Sequence, residues 1–222
     1  KSMLNNPFFD QIKPINITDV LRYVDQETGF LDNFEHVLPV QSKGRANVND
    51  LLAVIIGNGT NYGLYGMANI SDRAYDQLKG IQANYLRPET LNNANDVINN
   101  SVARLAIFKH YNIQEDLIHA SADGQKFESR LETFKTRYSS KYFGTNKGVS
   151  AITLIANHAA LNAKVIGSNE HESHYIFDLL QSNTSEIQPD VLSTDTHGVN
   201  HVNFALLDLF GYAFAPRYAQ FG

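Results

Sequence analysis

Two aspartates have the setting for metal chemistry, and each is followed within three residues by glycine: Ser121-Ala122-Asp123-Gly124 and Thr194-Asp195-Thr196-His197-Gly198. Each lies at the end of a stretch with strand character. If those two strands are parallel neighbours, both carboxylates emerge at the same sheet edge. Hard oxygen ligands of this kind suit Mg²⁺ or Mn²⁺. Two such ions can clamp the attacking and leaving oxygens of an in-line phosphoryl transfer. The same pattern also fits two aspartates that cap the turns after their strands, and spacing alone leaves both possibilities open.

The charge distribution supplies a second candidate. The 222 residues carry 18 Lys plus Arg and 23 Asp plus Glu, a net charge of −5. Within 126–147, however, six basic residues (Lys126, Arg130, Lys135, Arg137, Lys141, Lys147) face only Glu128 and Glu132. An acidic chain with one basic segment is no general polyanion binder, but such a segment can hold a phosphate backbone locally. A solvated surface loop has the same composition.

Other clusters are weaker. His171-Glu172-Ser173-His174 has its histidines three apart and lacks metalloprotease spacing, so a helix face explains it better. His197 and His201 are four apart beside Asp195, short of the three ligands a zinc site needs. No G-x-S-x-G is present to build a hydrolase elbow. Gly57-Asn58-Gly59-Thr60-Asn61-Tyr62-Gly63 follows a helical run and lacks Lys-Ser/Thr, so it reads as a helix–helix turn. The absence of Cys excludes disulfides, thiolate zinc sites, iron–sulfur clusters and Cys nucleophiles. Neither an apolar run of membrane-spanning length nor a signal-peptide pattern occurs.

The elements that must position these residues fall into two textures. Residues 1–113 read as a helical region. Asn16-Ile17-Thr18-Asp19 opens a helix that stops at Gly29, and Asn47-Val48-Asn49-Asp50 opens a second through Leu51 to Ile56. Pro88 and Glu89 open a longer one. In it Leu91, Ala94, Ile98, Val102, Leu105 and Phe108 predict a buried stripe, with a polar face of Asn92, Asn93, Asn99 and Asn100 opposite. Residues 114–222 alternate differently. Strands are predicted at Leu117–Ala122 (ending at Asp123-Gly124), Val149–Ala156, Ala163–Ile166, Val191–Asp195 and Tyr212–Ala215, with helices at Glu170–Leu180 and Val202–Phe210. The order β-β-β-α-β-α-β predicts an α/β sheet: an antiparallel meander of three strands, then strands parallel to the first.

Those blocks resemble, in order, the replicative DDE transposases of the Tn-three (gamma-delta) family. The likeness lies in Ser121-Ala122-Asp123-Gly124-Gln125-Lys126-Phe127, Tyr142-Phe143-Gly144, Gly148-Val149, Thr194-Asp195-Thr196-His197-Gly198, Phe204-Ala205-Leu206 and Phe214-Ala215-Pro216-Arg217. It continues upstream in Gly59-Thr60-Asn61-Tyr62-Gly63-Leu64, Met67-Ala68 and Leu86-Arg87-Pro88-Glu89-Thr90-Leu91. The resemblance implies an RNase H-like catalytic fold, with Asp123 and Asp195 as two of three catalytic, Mg²⁺- or Mn²⁺-binding carboxylates. It further implies DNA (transposon ends and target) as partner, self-association of the full-length protein, and a bacterial cytoplasmic location. In that family the third acid is a Glu on a helix well downstream of the second Asp, so Glu170 and Glu172 do not qualify. The chain is accordingly expected to be a central transposase fragment, truncated before that helix and inactive alone. A stand-alone nuclease, or a remnant that keeps the fold and DNA contact without catalysis, are the alternatives.

Overall fold

The structure is a computed structural model that describes residues 13–38, 40 and 44–217. By its internal contacts the chain divides into two compact units between Ala94 and Asn95.

The first unit is helical: α1 (Ile17–Thr28), a 3₁₀ turn (Phe30–Asn33), α2 (Val48–Gly59), α3 (Gly63–Ile70), α4 (Tyr75–Tyr85) and the start of α5 (Pro88–Ala103). The expected start and stop signals operate. Gly29 ends α1 in the left-handed conformation, where a side chain would be strained. The Asn47 side chain accepts from the backbone N–H of Asn49 and Asp50 at the head of α2. Asn61 turns the chain between α2 and α3, so the glycine-rich stretch is a helix–helix connection. The core of this unit gathers Val54, Met67 and Leu78.

The second unit takes in the rest of α5, then α6 (Ala106–His110) and a sheet. Its strands are β1 (His119–Glu128), β2 (Arg137–Tyr138), β3 (Lys147–Ala156), β4 (Ala159–Gly167), β5 (Val191–Thr194) and β6 (Ala213–Phe214). Helix α7 (Ser140–Phe143) follows β2, α8 (Ile176–Gln181) follows β4, and α9 (His201–Leu209) lies between β5 and β6. β1–β3 and β3–β4 are antiparallel, whereas β1–β5 and β5–β6 are parallel. The order is β4–β3–β1–β5–β6, with β2 continuing the β4 edge along the first two residues of β3. This is the mixed, RNase H-like arrangement implied by the resemblance. Ala120, Ala122, Ile152, Leu154, Leu161 and Leu192 turn to one face of the sheet and pack with Leu179, Leu180 and Leu207 of α8 and α9. Each fully buried leucine there contributes about 1.5–3 kcal/mol.

Four expectations need correction. β1 does not end at Asp123-Gly124, because residues 124–128 go on pairing with Gly148–Ile152 of β3, and Asp123 lies mid-strand. The predicted stripe holds only in part: Ala94 and Phe108 are buried and Val102 packs against the core, but the rest departs from it. Asn99 is buried and donates from Nδ2 to the Ala160 carbonyl at 2.7 Å, whereas Leu91 and Leu105 are about half exposed. A break at Arg104-Leu105 separates α6 from α5. The helix expected from Glu170 starts as a 3₁₀ turn at Glu172–Tyr175 before α8. Within the basic segment, β2 and α7 had no signal in the sequence pattern.

Candidate active site

Parallel pairing of β1 with β5 sets Ala120 opposite Leu192, Ser121 opposite Ser193 and Ala122 opposite Thr194. Asp123 and Asp195 are the next residue on each side. They therefore occupy neighbouring register positions on parallel chains, and both are exposed. Successive strand residues alternate faces. Asp123 thus shares its face with Ser121 and Gln125, away from the packed face of Ala120 and Ala122.

Each carboxylate also has a local role. Asp123 Oδ1 accepts from the Gly124 N–H at 2.8 Å. Asp195 Oδ1 accepts from the Gly198 N–H at 3.2 Å, closing the 3₁₀ turn Thr196–Gly198. Capping and pairing are thus compatible, since a carboxylate offers about four acceptor sites and one N–H takes one of them.

Beneath Asp123, on the packed face, lies a network that pattern and spacing do not reveal. The Glu172 carboxylate rests against the backbone of Gly124, where any Cβ would fall inside it. Glu172 Oε1 accepts from Ser150 Oγ at 2.7 Å and from Lys126 Nζ at 3.3 Å. Lys126 Nζ also sits 4.8 Å from the centre of the Tyr142 ring, a cation–π contact. Glycine in the second Asp-Gly block is constrained alike: a Cβ on Gly198 would collide with the Thr194 side chain. A glycine inside a strand with no turn after it is the one sequence signal that points to such a close approach.

The basic segment is only partly available. Lys126 is paired with Glu172 and Lys147 with Glu132. Lys135 Nζ donates to the Val165 carbonyl, and Arg137 Nη1 to the carbonyls of Phe134 and Thr136, and among the described residues neither forms an ion pair with an acid. Arg130 and Lys141 are exposed, and Lys141 Nζ lies 5.0 Å from the Tyr142 ring centre. The Lys147 hydrogen bond and charge lower the Glu132 pKa, and the same bond raises that of Lys147.

As a donor set, Asp123 and Asp195 suit a hard divalent cation in chemistry, with oxygen ligands and no sulfur. They fall short in number, since among the described residues no three His, Asp or Glu side chains converge on a metal site. His171 and His174 have ring centres 5.6 Å apart, and His171 Nδ1 contacts Ser173 Oγ at 2.7 Å, so no third ligand joins them. His201 is exposed on α9, and the His197 side chain lies outside the described residues.

Residues 19–222 match the family described as the Tn3 transposase DDE domain. The chain belongs to that family. It is 28% identical to the transposase for transposon gamma-delta of Escherichia coli (strain K12), over 99% of this chain and 22% of that protein. It is 32% identical to the transposase for transposon Tn501 of Pseudomonas aeruginosa, over 94% and 21%. For the Escherichia coli transposase of transposon Tn2501 the identity is 34%, over 96% and 21%. This chain therefore spans about a fifth of the length of the curated relatives it matches. The solved synaptic complex of piggyBac transposase with hairpin DNA aligns with 93% of this chain and 52% of its own, at 13% identity and a TM-score of 0.43. That likeness is too distant to add to what the strand order itself shows. As DDE family members these proteins use divalent metal, and no described helix of this chain is long and apolar enough to cross a membrane.

Proposed function

We propose that this chain carries the first two catalytic carboxylates, Asp123 and Asp195, of a DDE transposase whose whole length cleaves transposon ends and joins the freed 3′-OH to target DNA. The observation behind this reading is the β1–β5 register, whose last pair, Ala122 opposite Thr194, has each aspartate as the next residue along its own chain. In this reading, residues 1–113 form a helical region preceding the core, and 114–222 form the catalytic domain. Mg²⁺ or Mn²⁺, when bound, would neutralise the phosphate and activate the attacking oxygen. Asp123 and Asp195 would hold it, with the local N–H donors from Gly124 and Gly198 fixing one oxygen of each carboxylate. Of the cations of 126–147, Arg130, Lys135, Arg137 and Lys141, which unlike Lys126 and Lys147 make no ion pair with an acid among the described residues, would hold the DNA backbone beside them, and the net-negative remainder would repel it elsewhere. Self-association belongs to the full-length protein in this reading, and the setting is the bacterial cytoplasm.

Two carboxylates leave a divalent ion under-coordinated, so the chain alone should bind Mn²⁺ weakly and cleave no DNA. Paramagnetic broadening by Mn²⁺ should be confined to amides of 121–125 and 193–198 and disappear in Asp123→Asn. Broadening elsewhere, or broadening indifferent to that substitution, would sink the metal assignment. Strong Mn²⁺-dependent cleavage by the 222-residue chain, abolished by Asp123→Ala, would show a site that needs nothing further.

A further inference from the structure

The loop between β1 and β2 presents two large apolar side chains to solvent. Phe134 is 91% exposed and Leu131 77%. A loose loop would fold such side chains back against the protein, because water disfavours apolar surface. This loop is braced instead. The buried Thr136 closes a tight turn around Phe134 and Lys135. Its hydroxyl accepts from the Thr133 N–H at 3.0 Å and donates to the Thr133 carbonyl at 2.9 Å, and its own N–H donates to the same carbonyl at 3.2 Å. Arg137 Nη1 reaches back to the Phe134 and Thr136 carbonyls at 2.8 and 2.9 Å. Ser129 Oγ holds the Leu131 carbonyl at 2.8 Å, and Glu132 is tied to Lys147. The backbone is thus fixed with its apolar tips pointing outward.

Cations flank those tips along the chain. Arg130 adjoins Leu131, and Lys135 and Arg137 follow Phe134. Their contacts to carbonyls leave Lys135 and Arg137 charged. A protein partner would need an acidic surface shaped as a socket. Duplex DNA offers phosphates for the cations and a base step that an apolar wedge can open. Charge complementarity therefore favours DNA. We propose that this loop is a DNA wedge, with Phe134 inserting at a base step while Arg130 and its neighbours engage the flanking phosphates. The wedge rests on the DNA-contact reading above, but assigns the contact to an apolar side chain that pattern and charge had not singled out.

The test uses the 222-residue chain and a duplex carrying 2-aminopurine at successive positions, whose emission rises when its neighbours unstack. Wild type should raise that emission at one step. Phe134→Ala should abolish the rise and weaken binding roughly tenfold, in line with the loss of one base–aromatic stack, while leaving the salt slope unchanged. Arg130→Ala should keep the rise at saturating protein and flatten the log-affinity against log-salt slope by about 0.9. The chain contains no Trp, so Phe134→Trp adds a single reporter whose emission should be quenched by DNA. Full affinity and unchanged 2-aminopurine signal in Phe134→Ala, or tryptophan emission that saturating DNA leaves unquenched in Phe134→Trp, would overturn the wedge alone. A wild-type chain that binds no duplex would overturn the wedge and the DNA-contact reading together.

Discussion

Gly124→Ala tests whether the glycine beside Asp123 is kept for a turn or for a neighbour. Gly124 pairs with Ile152 in the middle of β1 and its backbone is not in the left-handed region, so alanine is allowed locally. On that basis alone the substitution should stabilise by about 0.4–1 kcal/mol through the unfolded chain. The new Cβ, however, occupies the place of the Glu172 carboxylate. Moving Glu172 gives up its hydrogen bond from the fully buried Ser150, about 1.5–3 kcal/mol for a charged acceptor. It also gives up the Lys126 ion pair, whose side chains are 17% and 27% exposed, so water screens it to about 1 kcal/mol or less. The loss outweighs the gain, and Gly124→Ala should destabilise by about 1–3 kcal/mol. In a Glu172→Ala background the obstruction is gone and the same change should be neutral or slightly stabilising. The double-mutant cycle should therefore show a coupling of about 2 kcal/mol, far above the scatter expected of independent sites. Urea unfolding, with native-state hydrogen exchange at β1 and β3 amides to report on the sheet unit alone, supplies the four free energies. Additive single changes would refute the close-approach argument, as would a Gly124→Ala protein at least as stable as wild type.

Two further perturbations address the helical unit and the basic segment. Arg73 Nη1 lies 3.0 Å from Oδ1 of Asp50, a carboxylate that is 4% exposed and also accepts from Gln77 Nε2 on Oδ2. Arg73→Ala strands that charge and should cost about 2–4 kcal/mol in urea unfolding, the lower part of the range reflecting the partial exposure of Arg73; a change below about 0.5 kcal/mol would contradict it. The Glu132 carboxyl is held below its ordinary pKa by Lys147, so its contribution is present above the unfolded carboxyl pKa and fades as pH falls through the lowered folded one. Thermal midpoints of wild type and Glu132→Gln should accordingly converge at low pH and separate, with wild type higher, towards neutrality; the opposite ordering would break the assignment.

The parts of this fold that could be read along the chain are those whose causes are local. Gly29 stops a helix by its own left-handed backbone, and Asn47 starts one by reaching two and three residues ahead. The element order gives an antiparallel meander followed by strands parallel to the first. The adjacency of the strands that lead to Asp123 and Asp195 entered as a condition supported by the family resemblance, and the β1–β5 pairing meets it. What escaped has distant causes. Asn99 belongs by type on a wet face, yet it is buried and, together with Asn95, donates to the Ala160 carbonyl on β4. Asp123-Gly124 has the signature of a turn, but Gly124 is in a strand, and the reason for its missing side chain is a carboxylate on the 3₁₀ turn after β4. Lys126 counted as a cation for DNA on charge alone, while the same carboxylate holds it on the packed side of the sheet. One unforeseen residue, Glu172, thus accounts for both surprises around the first aspartate. Its position ties β1, β3 and the turn before α8 directly under Asp123. If Asp123 holds metal as proposed above, rigidity at that point makes physical sense, because a carboxylate on an exposed strand face is only as well placed as the backbone that carries it.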